Sequence, residues 1–424
     1  MNKSIWKDYL RNNNFKSLQE NIETDVLVIG GGITGILITK KLHDNKIKTL
    51  LVEKGQIGSG ITSKTTAFLT VQHETLFQSF NQKKAQQYLK LNNDALNEYK
   101  ELSKIYDFDY EETDSCLFSK NYDIINNEFK TLQELHQNIC ITKNIPFEEN
   151  CIGVSFKKQA TINPIKLINA ISKDLSIYEN SEIIKLKRNY AILKNNKLIK
   201  FKKAIIATHY PIINKHNLLF MKLTQRKSYV VAIKKETIKG TYCSIDNKGL
   251  YYRMYKDYLI IGGNDRDTGI NCNRDFTEMI LEKFNLSQKD ILYSWNGQDC
   301  ISLDGIPYIG YNNLWNKNHI TVTGFNLWGF TWAMASSNII LNMITKNEEC
   351  KLTKLNRWFI NKNLFKNLKA AIINLINFNK PKCTHLGCRL IYNKKEKIYE
   401  CPCHGSIYNE SKKVIKGPAQ NDIK

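Results

Sequence analysis

The hydrophobic pattern of the first part of the chain predicts a strand, a helix and a second strand in close succession. Residues 25–29 and 48–52 are short runs rich in Val, Ile and Leu, which is typical of strands buried on both faces in a parallel sheet. Residues 36–42, which lie between them, have apolar positions at helical spacing. We therefore predict one βαβ unit near the amino terminus.

The rest of the chain alternates between helical and extended patterns and contains no internal repeat. Helices are predicted at residues 85–106, 128–138 and 332–344, and strands at 204–207, 229–233, 258–261 and 319–323, with further short strands between 181 and 208. Residues 346–382 are charged, with a helix expected near their end. They connect this body to a cysteine-rich tail.

The composition gives the chain of 424 residues a net charge of +22. Nucleic-acid binding would require clustered basic residues with Arg and aromatic residues interleaved. Here Lys greatly outnumbers Arg and the basic residues are dispersed, so we expect no nucleic-acid partner. The charge instead favours attraction to an acidic partner protein.

The amino-terminal residues 1–23 are polar and lack the apolar core of a signal peptide. No apolar run reaches the length of a membrane span, and the best candidate, residues 370–378, is too short. We therefore expect a cytoplasmic protein without a membrane span, whose thiols stay reduced.

The eleven cysteines fall into two groups. One group crowds into residues 383–403, and this crowding calls for a chemical explanation. The other cysteines are scattered without the spacing of metal ligands and are predicted to be buried apolar residues. They are Cys116, Cys140, Cys151, Cys243, Cys272, Cys300 and Cys350.

The glycine-rich sequence GGGITG, residues 30–35, lies between the first predicted strand and helix. In this G-x-G-x-x-G pattern Gly30 permits a tight turn, Gly32 lets the backbone approach a pyrophosphate, and Gly35 allows the helix to pack closely on the strand. The helix amino terminus adds partial positive charge. Glu53 follows the second strand, where a carboxylate accepts hydrogen bonds from a ribose hydroxyl. FAD or NAD therefore fits better than NADP.

Three later segments decide between FAD and NAD. Residues 58–67 (GSGITSKTTA) are small and hydroxyl-rich, and residues 304–310 (DGIPYIG) and 323–329 (TGFNLWG) contain glycine turns. Together with residues 204–208 they resemble, in order, the flavin-binding motifs of the D-amino-acid oxidase and glycine oxidase superfamily. The resemblance spans residues 25–345 and implies FAD as the cofactor. The FAD-binding residues that it implies are Gly30, Gly32, Gly35, Glu53, Thr65, Thr66, Ala67, Gly324, Trp328 and Gly329.

The same resemblance implies an α/β fold, in which a Rossmann-like FAD-binding domain carries an inserted α+β substrate domain. The insertion is expected in parts of residues 80–152 and 223–295. Candidate catalytic residues are Tyr252, Arg253 and Trp328, and further active-site candidates are Gln298 and Asp299, which precede residues 304–310. An arginine on a substrate-domain strand could hold a carboxylate with its bidentate fork, and a structural ion pair is the open alternative. No catalytic base is identified, and none is required if the flavin takes a hydride.

The cysteine-rich tail contains two short motifs, CTHLGC at residues 383–388 and CPCHGS at residues 401–406. They form the pattern C-x-H, fifteen residues, then C-x-x-H. Two thiolates suit one iron of a [2Fe–2S] cluster, and two imidazoles suit the other iron. Zinc also binds such ligand sets, but its usual order places paired cysteines before paired histidines. We therefore favour the iron–sulfur cluster over zinc.

These two motifs resemble the Rieske family, in the type that has two additional cysteines. The cluster ligands that the resemblance implies are Cys383, His385, Cys401 and His404. It further implies a disulfide between Cys388 and Cys403. The hydroxyls of Ser406 and Tyr408 match the donors that point at cluster sulfur and at the cysteine ligand. Such donors stabilise the reduced cluster and raise its potential.

The Rieske resemblance covers only residues 381–424, which is too short for the strands that precede the first ligand loop in a complete domain. We expect a small all-β module that packs on the flavin domain or on a helix at residues 367–378, in place of the missing strands. The predicted boundaries are an amino-terminal arm at 1–24, the oxidoreductase at 25–345, a linker at 346–380 and the cluster-binding module at 381–424.

The two predicted cofactors move electrons differently. A flavin takes two electrons as a hydride, whereas a Rieske cluster carries one electron at a time. We therefore predict an FAD- and [2Fe–2S]-dependent oxidoreductase that acts on a small substrate, an amine or amino acid, and exchanges single electrons with a partner. The alternative is a non-enzymatic electron carrier or redox sensor. A Rieske oxygenase is not favoured, because no 2-His-1-carboxylate iron site is found.

Overall fold

A computed structural model describes residues 3–11, 15–213, 216–235, 238–270, 275–313, 317–357, 364–365, 367, 381–394 and 396–423. The helix predicted at 367–378 lies, apart from residue 367, outside the described residues, as does Cys272. The helices are α1 (Ile33–Asp44), α2 (Gln82–Ser103), α3 (Tyr122–Glu134), α4 (Pro164–Ile171), α5 (Leu219–Lys222), α6 (Phe276–Lys283) and α7 (Gly329–Thr345). Short 3₁₀ helices lie at Ile5–Tyr9, Ile61–Lys64, Phe77–Ser79, His216–Leu218 and Gln288–Asp290.

The strands form three sheets and are numbered in chain order. They are β1 (Ile22–Ile29), β2 (Thr49–Val52), β3 (Phe68–Leu69), β4 (Glu111–Ser119), β5 (Ile139–Thr142), β6 (Ile152–Thr161), β7 (Ile177–Tyr178), β8 (Ile183–Leu186), β9 (Tyr190–Leu193), β10 (Leu198–Ile206), β11 (Leu223–Lys234), β12 (Thr241–Ser244), β13 (Leu250–Tyr255), β14 (Tyr258–Asp267), β15 (Ile291–Ser302), β16 (Tyr308–Tyr311), β17 (His319–Thr323), β18 (Ile391–Asn393), β19 (Ile398–Glu400), β20 (Ile407–Asn409) and β21 (Val414–Lys416).

The first sheet has the order β16-β17-β10-β1-β2-β7, with β9 paired to β10 and β8 to β9. Its centre is parallel, because β1 pairs in parallel with both β10 and β2. Val26, Leu27 and Val28 of β1 are all buried, so both faces of this strand are covered. The predicted βαβ unit is confirmed as β1–α1–β2, and α7 packs against α1. The predicted α/β fold class is confirmed as well.

The second sheet has the order β15-β11-β14-β13-β12-β4-β6-β3, with β5 paired to β6. Its two longest strands, β11 and β15, are antiparallel neighbours along almost their whole length. The helix predicted at residues 128–138 begins earlier, at Tyr122, so its predicted start is wrong. Asn121 caps this helix, since its side chain accepts from the backbone N–H groups of Asp123 and Ile124.

The third sheet is the small antiparallel meander β18-β19-β20-β21 near the carboxyl end. The predicted all-β module is thereby confirmed. Its core consists of cysteine side chains packed with Leu390, Tyr408 and Ala419. The module packs mainly on β11 and β15 of the second sheet rather than on the first sheet, through hydrogen bonds from Gln225 and Gln298.

No helix among the described residues is long and apolar enough to cross a membrane.

Candidate functional site

The glycine turn between β1 and α1 leaves no room for side chains. A Cβ atom on Gly35 would lie 1.9 Å from the carbonyl oxygen of Gly30. Gly30 itself has a φ of +110°, and a Cβ there would lie 2.6 Å from the carbonyl oxygen of Ala207 at the end of β10. Gly32 caps α1, so the first free N–H groups of the helix face the end of the sheet. The turn thus has the close backbone approach that a dinucleotide phosphate requires.

Glu53 lies directly after β2, beside this turn. Its Oε2 accepts the backbone N–H of Gly31 at 2.7 Å and its Oε1 accepts that of Gly55 at 2.9 Å. Each oxygen of a carboxylate can accept more than one hydrogen bond, so acceptor capacity remains for a ribose hydroxyl. The geometry therefore fits the predicted role of Glu53.

Residues 62–67 are held in place by side chains from several parts of the fold. Thr62 Oγ1 accepts the backbone N–H of Ile33 at 3.0 Å, which ties this segment to the start of α1. The indole of Trp6 donates to the carbonyl of Thr65 at 2.7 Å, and that of Trp295 donates to the carbonyl of Lys64 at 3.0 Å. The segment is therefore fixed against α1 on one side and β15 on the other.

Arg253 on β13 also holds this segment, and it does so from within the core. Its Nη1 donates to the carbonyls of Thr66 at 3.0 Å, Ala67 at 2.7 Å and Ile162 at 3.2 Å. Arg253 is 1% exposed, and burial lowers its pKa to about 9, so the guanidinium remains charged at neutral pH. These contacts make Arg253 a brace for the Thr66–Ala67 backbone. Its predicted role as a substrate clamp stays a prediction.

The structure places Tyr252 in the core of the second sheet. Its hydroxyl donates to Glu148, and its ring packs against Phe147 with centroids 5.6 Å apart. Neither Tyr252 nor Arg253 lines the large cavity that lies between the flavin motifs and the second sheet. Tyr252 points into the core on the opposite face of β13, whereas Arg253 lies on the same face as the cavity-lining Tyr251 but ends on the carbonyls of Thr66 and Ala67.

Replacing Arg253 by Met is expected to lower the free energy of unfolding by about 2–4 kcal/mol, because buried carbonyls lose their charged donor. Urea unfolding with parallel measurement of FAD content checks this, with the exposed Arg188→Met as the matched control. Unchanged stability and FAD content together with a raised KM would instead favour the clamp.

The closing glycine turn lies between β17 and α7. Gly324 has a φ of +76° and Leu327 a φ of +73°, so the backbone reverses sharply before Trp328 caps the helix. Asn326 stabilises this turn, since its Oδ1 accepts the backbone N–H of Ser302 at 2.8 Å and its Nδ2 donates to the carbonyl of Gly324 at 2.7 Å. Trp328 is thereby held at the start of α7.

Trp328 stacks on the buried ring of His73, with centroids 5.1 Å apart and an interplanar angle of 20°. His73 is fixed by Tyr88, whose hydroxyl lies 2.6 Å from Nδ1, and by the carbonyl of Thr70 at 2.8 Å from Nε2. Burial lowers the pKa of His73 to about 3, so the ring is neutral. Of the three predicted catalytic residues, only Trp328 lines the cavity.

A cavity of about 1040 Å³ joins the flavin motifs to the second sheet. Its lining includes Thr65, Thr66, Ala67 and Trp328 from the predicted flavin motifs. The opposite wall carries charged and polar side chains that sequence reasoning missed. Among them are Glu74, Arg226, Tyr251, Asp265 and Arg266. The alternation of residues along β11 was the one available signal for Arg226. It separates the strand residues into two faces but does not show which face lines the cavity.

The two cysteine motifs fold into loops with the same backbone hydrogen bonds. The N–H of Gly387 donates to the carbonyl of Cys383 at 2.9 Å, and that of Gly405 donates to the carbonyl of Cys401 at 2.8 Å. Both glycines have positive φ, at +80° and +70°. The loops bring the rings of His385 and His404 together, with centroids 5.0 Å apart. Two matching loops that present Cys and His to each other fit a shared cluster.

His404 has the tautomer that a metal ligand requires. Its Nε2 lies 2.8 Å from the carbonyl of Phe220, and a carbonyl only accepts, so Nε2 carries the hydrogen. The lone pair is therefore on Nδ1, which is buried and has no hydrogen-bond partner among the described residues. Burial lowers the pKa of His404 to about 4, which keeps the ring neutral and able to bind iron.

The predicted hydroxyl donors lie at the cluster loops. The hydroxyl of Tyr408 lies 3.4 Å from Sγ of Cys383. Ser406 Oγ accepts the backbone N–H of Ala419 at 3.0 Å, which leaves its own hydrogen available to sulfur. The thiol sulfurs of Cys388, Cys401 and Cys403 lie within 4.8 Å of one another. Cys388 and Cys403 are thiols in this structure, so the predicted disulfide stays a prediction.

Comparison with known proteins agrees with both ends of the chain. The family model described as FAD dependent oxidoreductase matches residues 25–343, and that of the Rieske [2Fe-2S] domain matches residues 376–424. YhfW of Bacillus subtilis, whose name describes a Rieske 2Fe-2S iron-sulfur protein, is 26% identical over 493 aligned positions, which cover 99% of this chain and 97% of YhfW.

Two further proteins are similar to only one part of the chain each. The cytochrome b6-f complex iron-sulfur subunit of Fritillaria agrestis is 60% identical over 37 residues, which are 9% of this chain and 16% of that subunit. Glycine oxidase from Bacillus cereus superposes with a TM-score of 0.64 at 18% identity, over 80% of this chain and all of that one. At this identity the likeness supports the fold alone.

The predicted cofactors, FAD and a [2Fe–2S] cluster, are confirmed by these matches, and the enzyme assignment is confirmed with them. Nothing found supports the alternative of a non-enzymatic carrier or sensor. The cytoplasmic location, the acidic partner and the absence of nucleic-acid binding stay predictions. Because the oxidoreductase match covers most of the chain, the protein belongs to the FAD-dependent oxidoreductase family and carries a carboxy-terminal Rieske [2Fe–2S] domain.

Proposed function

We propose that this protein is a dehydrogenase that oxidises a small amine or amino acid at FAD and passes the electrons singly through its Rieske cluster. One observation carries the proposal: the cavity beside the flavin segments shares its wall, strands β11 and β15, with the cluster-binding module. When bound, FAD accepts two electrons as a hydride and the cluster carries one electron at a time. The partner that receives them is a one-electron carrier, which we expect to be acidic.

The charged wall of the cavity supports an amino acid as the substrate. The side chain of Arg226 projects from β11 into the cavity and makes no side-chain hydrogen bond or ion pair within the described part of the chain, although its charge acts on the carboxylates of Glu74 and Asp265. Its fork can therefore hold a carboxylate. Asp265 lies on the same wall and accepts a hydrogen bond from the hydroxyl of Tyr251 at 3.2 Å. Burial raises the pKa of Asp265, and an ammonium group nearby would stabilise its charged form. Arg226 and Asp265 thus match the carboxylate and the ammonium group of an amino acid.

The cluster is proposed to be held by Cys383, Cys401, His385 and His404. The orientation of His404 supports this ligand set, since its Nδ1 lone pair is buried and directed away from Phe220. Hydrogen bonds from Ser406 and Tyr408 would favour the reduced cluster and raise its potential. The proposed disulfide between Cys388 and Cys403 would join the two loops.

Anaerobic incubation of the purified protein with a panel of amino acids and simple amines tests the function. The expected result is bleaching of the flavin absorbance by one class of compound, followed by the EPR signal of a reduced cluster. Turnover with an artificial one-electron acceptor in place of oxygen should then continue. Flavin that no amine or amino acid bleaches, or bleaching without any cluster reduction, would contradict the proposal.

Replacing Arg226 by Met is expected to raise KM for an amino acid about 10- to 100-fold, which is the loss expected for a charge-assisted hydrogen-bonded pair. The KM for an amine that lacks a carboxylate should stay unchanged, so the two substrate classes separate in one experiment. Steady-state kinetics under nitrogen check this, with the exposed Arg188→Met as the control. Equal KM values for wild type and Arg226→Met on every substrate would exclude Arg226 as the residue that binds the substrate carboxylate.

A further inference from the structure

The two faces of the β11–β15 strand pair contact different parts of the protein. Directly opposed residues of an antiparallel pair point to the same face, and Arg226 pairs with Asp299 while Ser228 pairs with Gly297. These residues, together with Val230, line the cavity. Since side chains alternate along a strand, the intervening positions must point to the opposite face.

The intervening positions contact the cluster-binding module. Gln225 donates through Nε2 to the carbonyl of His404, and Gln298 donates to the carbonyl of Gly405 at 2.8 Å. Lys227, which is buried, lies between them on the same face. Only one layer of β-sheet therefore separates the cavity from the second cluster loop.

Lys227 fixes the module by a buried pair of ionic contacts. Its Nζ lies 2.6 Å from Oε2 of Glu396 and 2.7 Å from Oε1 of Glu400, the residue that precedes Cys401. The side chain of Lys227 is 1% exposed and that of Glu400 is 4% exposed. Buried charges of this kind are stable only when paired, so the module has little freedom to swing away.

The edge of the module that carries the two histidines faces the body of the protein. His404 is 4% exposed, and its ring lies against Tyr210 and Phe220, with centroids 6.0 and 6.4 Å away. Tyr210 also contacts the ring of His385, with centroids 6.1 Å apart. Tyr210 follows β10, a central strand of the first sheet. His404 is therefore covered by the chain itself, whereas His385 stays partly exposed.

We infer that the β11–β15 pair is the electron-transfer contact between the flavin and the cluster, and that Gln225 and Gln298 are positioning residues which hold the His404 loop against it. This inference rests on the proposed function. It follows that the His404 side of the cluster serves the flavin of the same chain.

Laser-flash photoreduction tests the contact. A 5-deazariboflavin radical, made with EDTA as the electron source, delivers one electron to the flavin, which passes it to the oxidised cluster without any bond being formed or broken. Absorbance of the flavin and the cluster follows the passage. In the double variant Gln225→Ala/Gln298→Ala the transfer rate is expected to fall roughly tenfold, because losing two ordinary hydrogen bonds lowers the population of the held His404 loop by about that factor. The cluster EPR signal and the Tm should stay close to wild type.

Two further variants complete the test. Gln133→Ala, on the exposed face of α3, is the matched control and should transfer at the wild-type rate. Lys227→Met leaves both glutamines in place, loosens the same contact and should also slow transfer. Wild-type transfer rates in both the double glutamine variant and Lys227→Met would overturn the inference. Loss of the cluster from both variants would overturn it as well, since the β11–β15 contact would then serve to retain the cluster. A wild-type protein whose flavin never reduces its cluster would instead contradict the proposed function.

Discussion

Replacing Cys401 by Ser is expected to abolish the EPR signal of the cluster while the protein retains its FAD. Cys401 is fully buried and lies among the other sulfurs of the module. A serine hydroxyl is a harder and less acidic ligand than a thiol, so it replaces a thiolate poorly at an iron–sulfur cluster. The flavin motifs lie in other parts of the chain and should not be affected. EPR of the dithionite-reduced protein, iron and sulfide content, and flavin absorbance measure the three quantities.

Cys140→Ser provides the matched control for this experiment. Cys140 is a half-buried thiol on β5 of the second sheet, outside the module. Its replacement should leave both the EPR signal and the FAD content at wild-type values. A Cys401→Ser protein that retains a full cluster signal would show that another residue supplies the ligand, and would overturn the proposed ligand set.

Replacing Gly35 by Ala is expected to release FAD and to destabilise the protein by about 1–3 kcal/mol. A Cβ atom at this position would lie 1.9 Å from the carbonyl oxygen of Gly30. The contact is with backbone rather than with a mobile side chain, so either α1 or the turn must move. Because that turn is the proposed phosphate site, FAD binding and stability should fall together. Flavin content after gel filtration and urea unfolding are the measurements.

Gly60→Ala is the control for this second prediction. Gly60 lies in the neighbouring hydroxyl-rich segment with a φ of −72°, and a Cβ there would meet no atom within 4 Å. It should therefore behave like wild type in both measurements. If Gly35→Ala keeps its FAD and its stability as well as Gly60→Ala does, the turn does not form the cofactor site as proposed.

The sequence predicted those parts of the site that are encoded within a few neighbouring residues. The turn at residues 30–35 and the loops around Cys383 and Cys401 each require glycine at fixed offsets from functional residues. Such local motifs can be recognised in the sequence without knowledge of the long-range contacts. The α/β class followed for the same reason, since β1, α1 and β2 are adjacent in the chain.

The cavity wall that we propose for the substrate could not be predicted in this way, because distant segments build it. Arg226 and Asp265 meet only through the pairing of β11 with β14, and the strand register is not visible in the sequence. For Arg253 the residue was identified from the sequence, but its role was not. A lone arginine on a strand is compatible with a substrate clamp or with a structural ion pair, and its contacts with the carbonyls of Thr66 and Ala67 are visible only in the folded structure.

The position of the cluster-binding module also depends on long-range contacts. Lys227 and its partners Glu396 and Glu400 are far apart in the chain, and nothing in their local sequence marks them as a pair. The start of α3 was missed for a simpler reason. The predicted start at residue 128 did not use the capping signal of Asn121, which directly precedes the first turn of this amphipathic helix.

The alternating faces of β11 restrict how this family of sequences can change. Inserting or deleting one residue in β11 would turn Arg226 toward the module and Lys227 toward the cavity, exchanging the two sets of side chains at once. The charge pattern proposed to bind the substrate and the ion pairs with Glu396 and Glu400 would be lost together. Related enzymes should therefore diversify their substrates by replacing alternate residues of this strand, while its length stays constant.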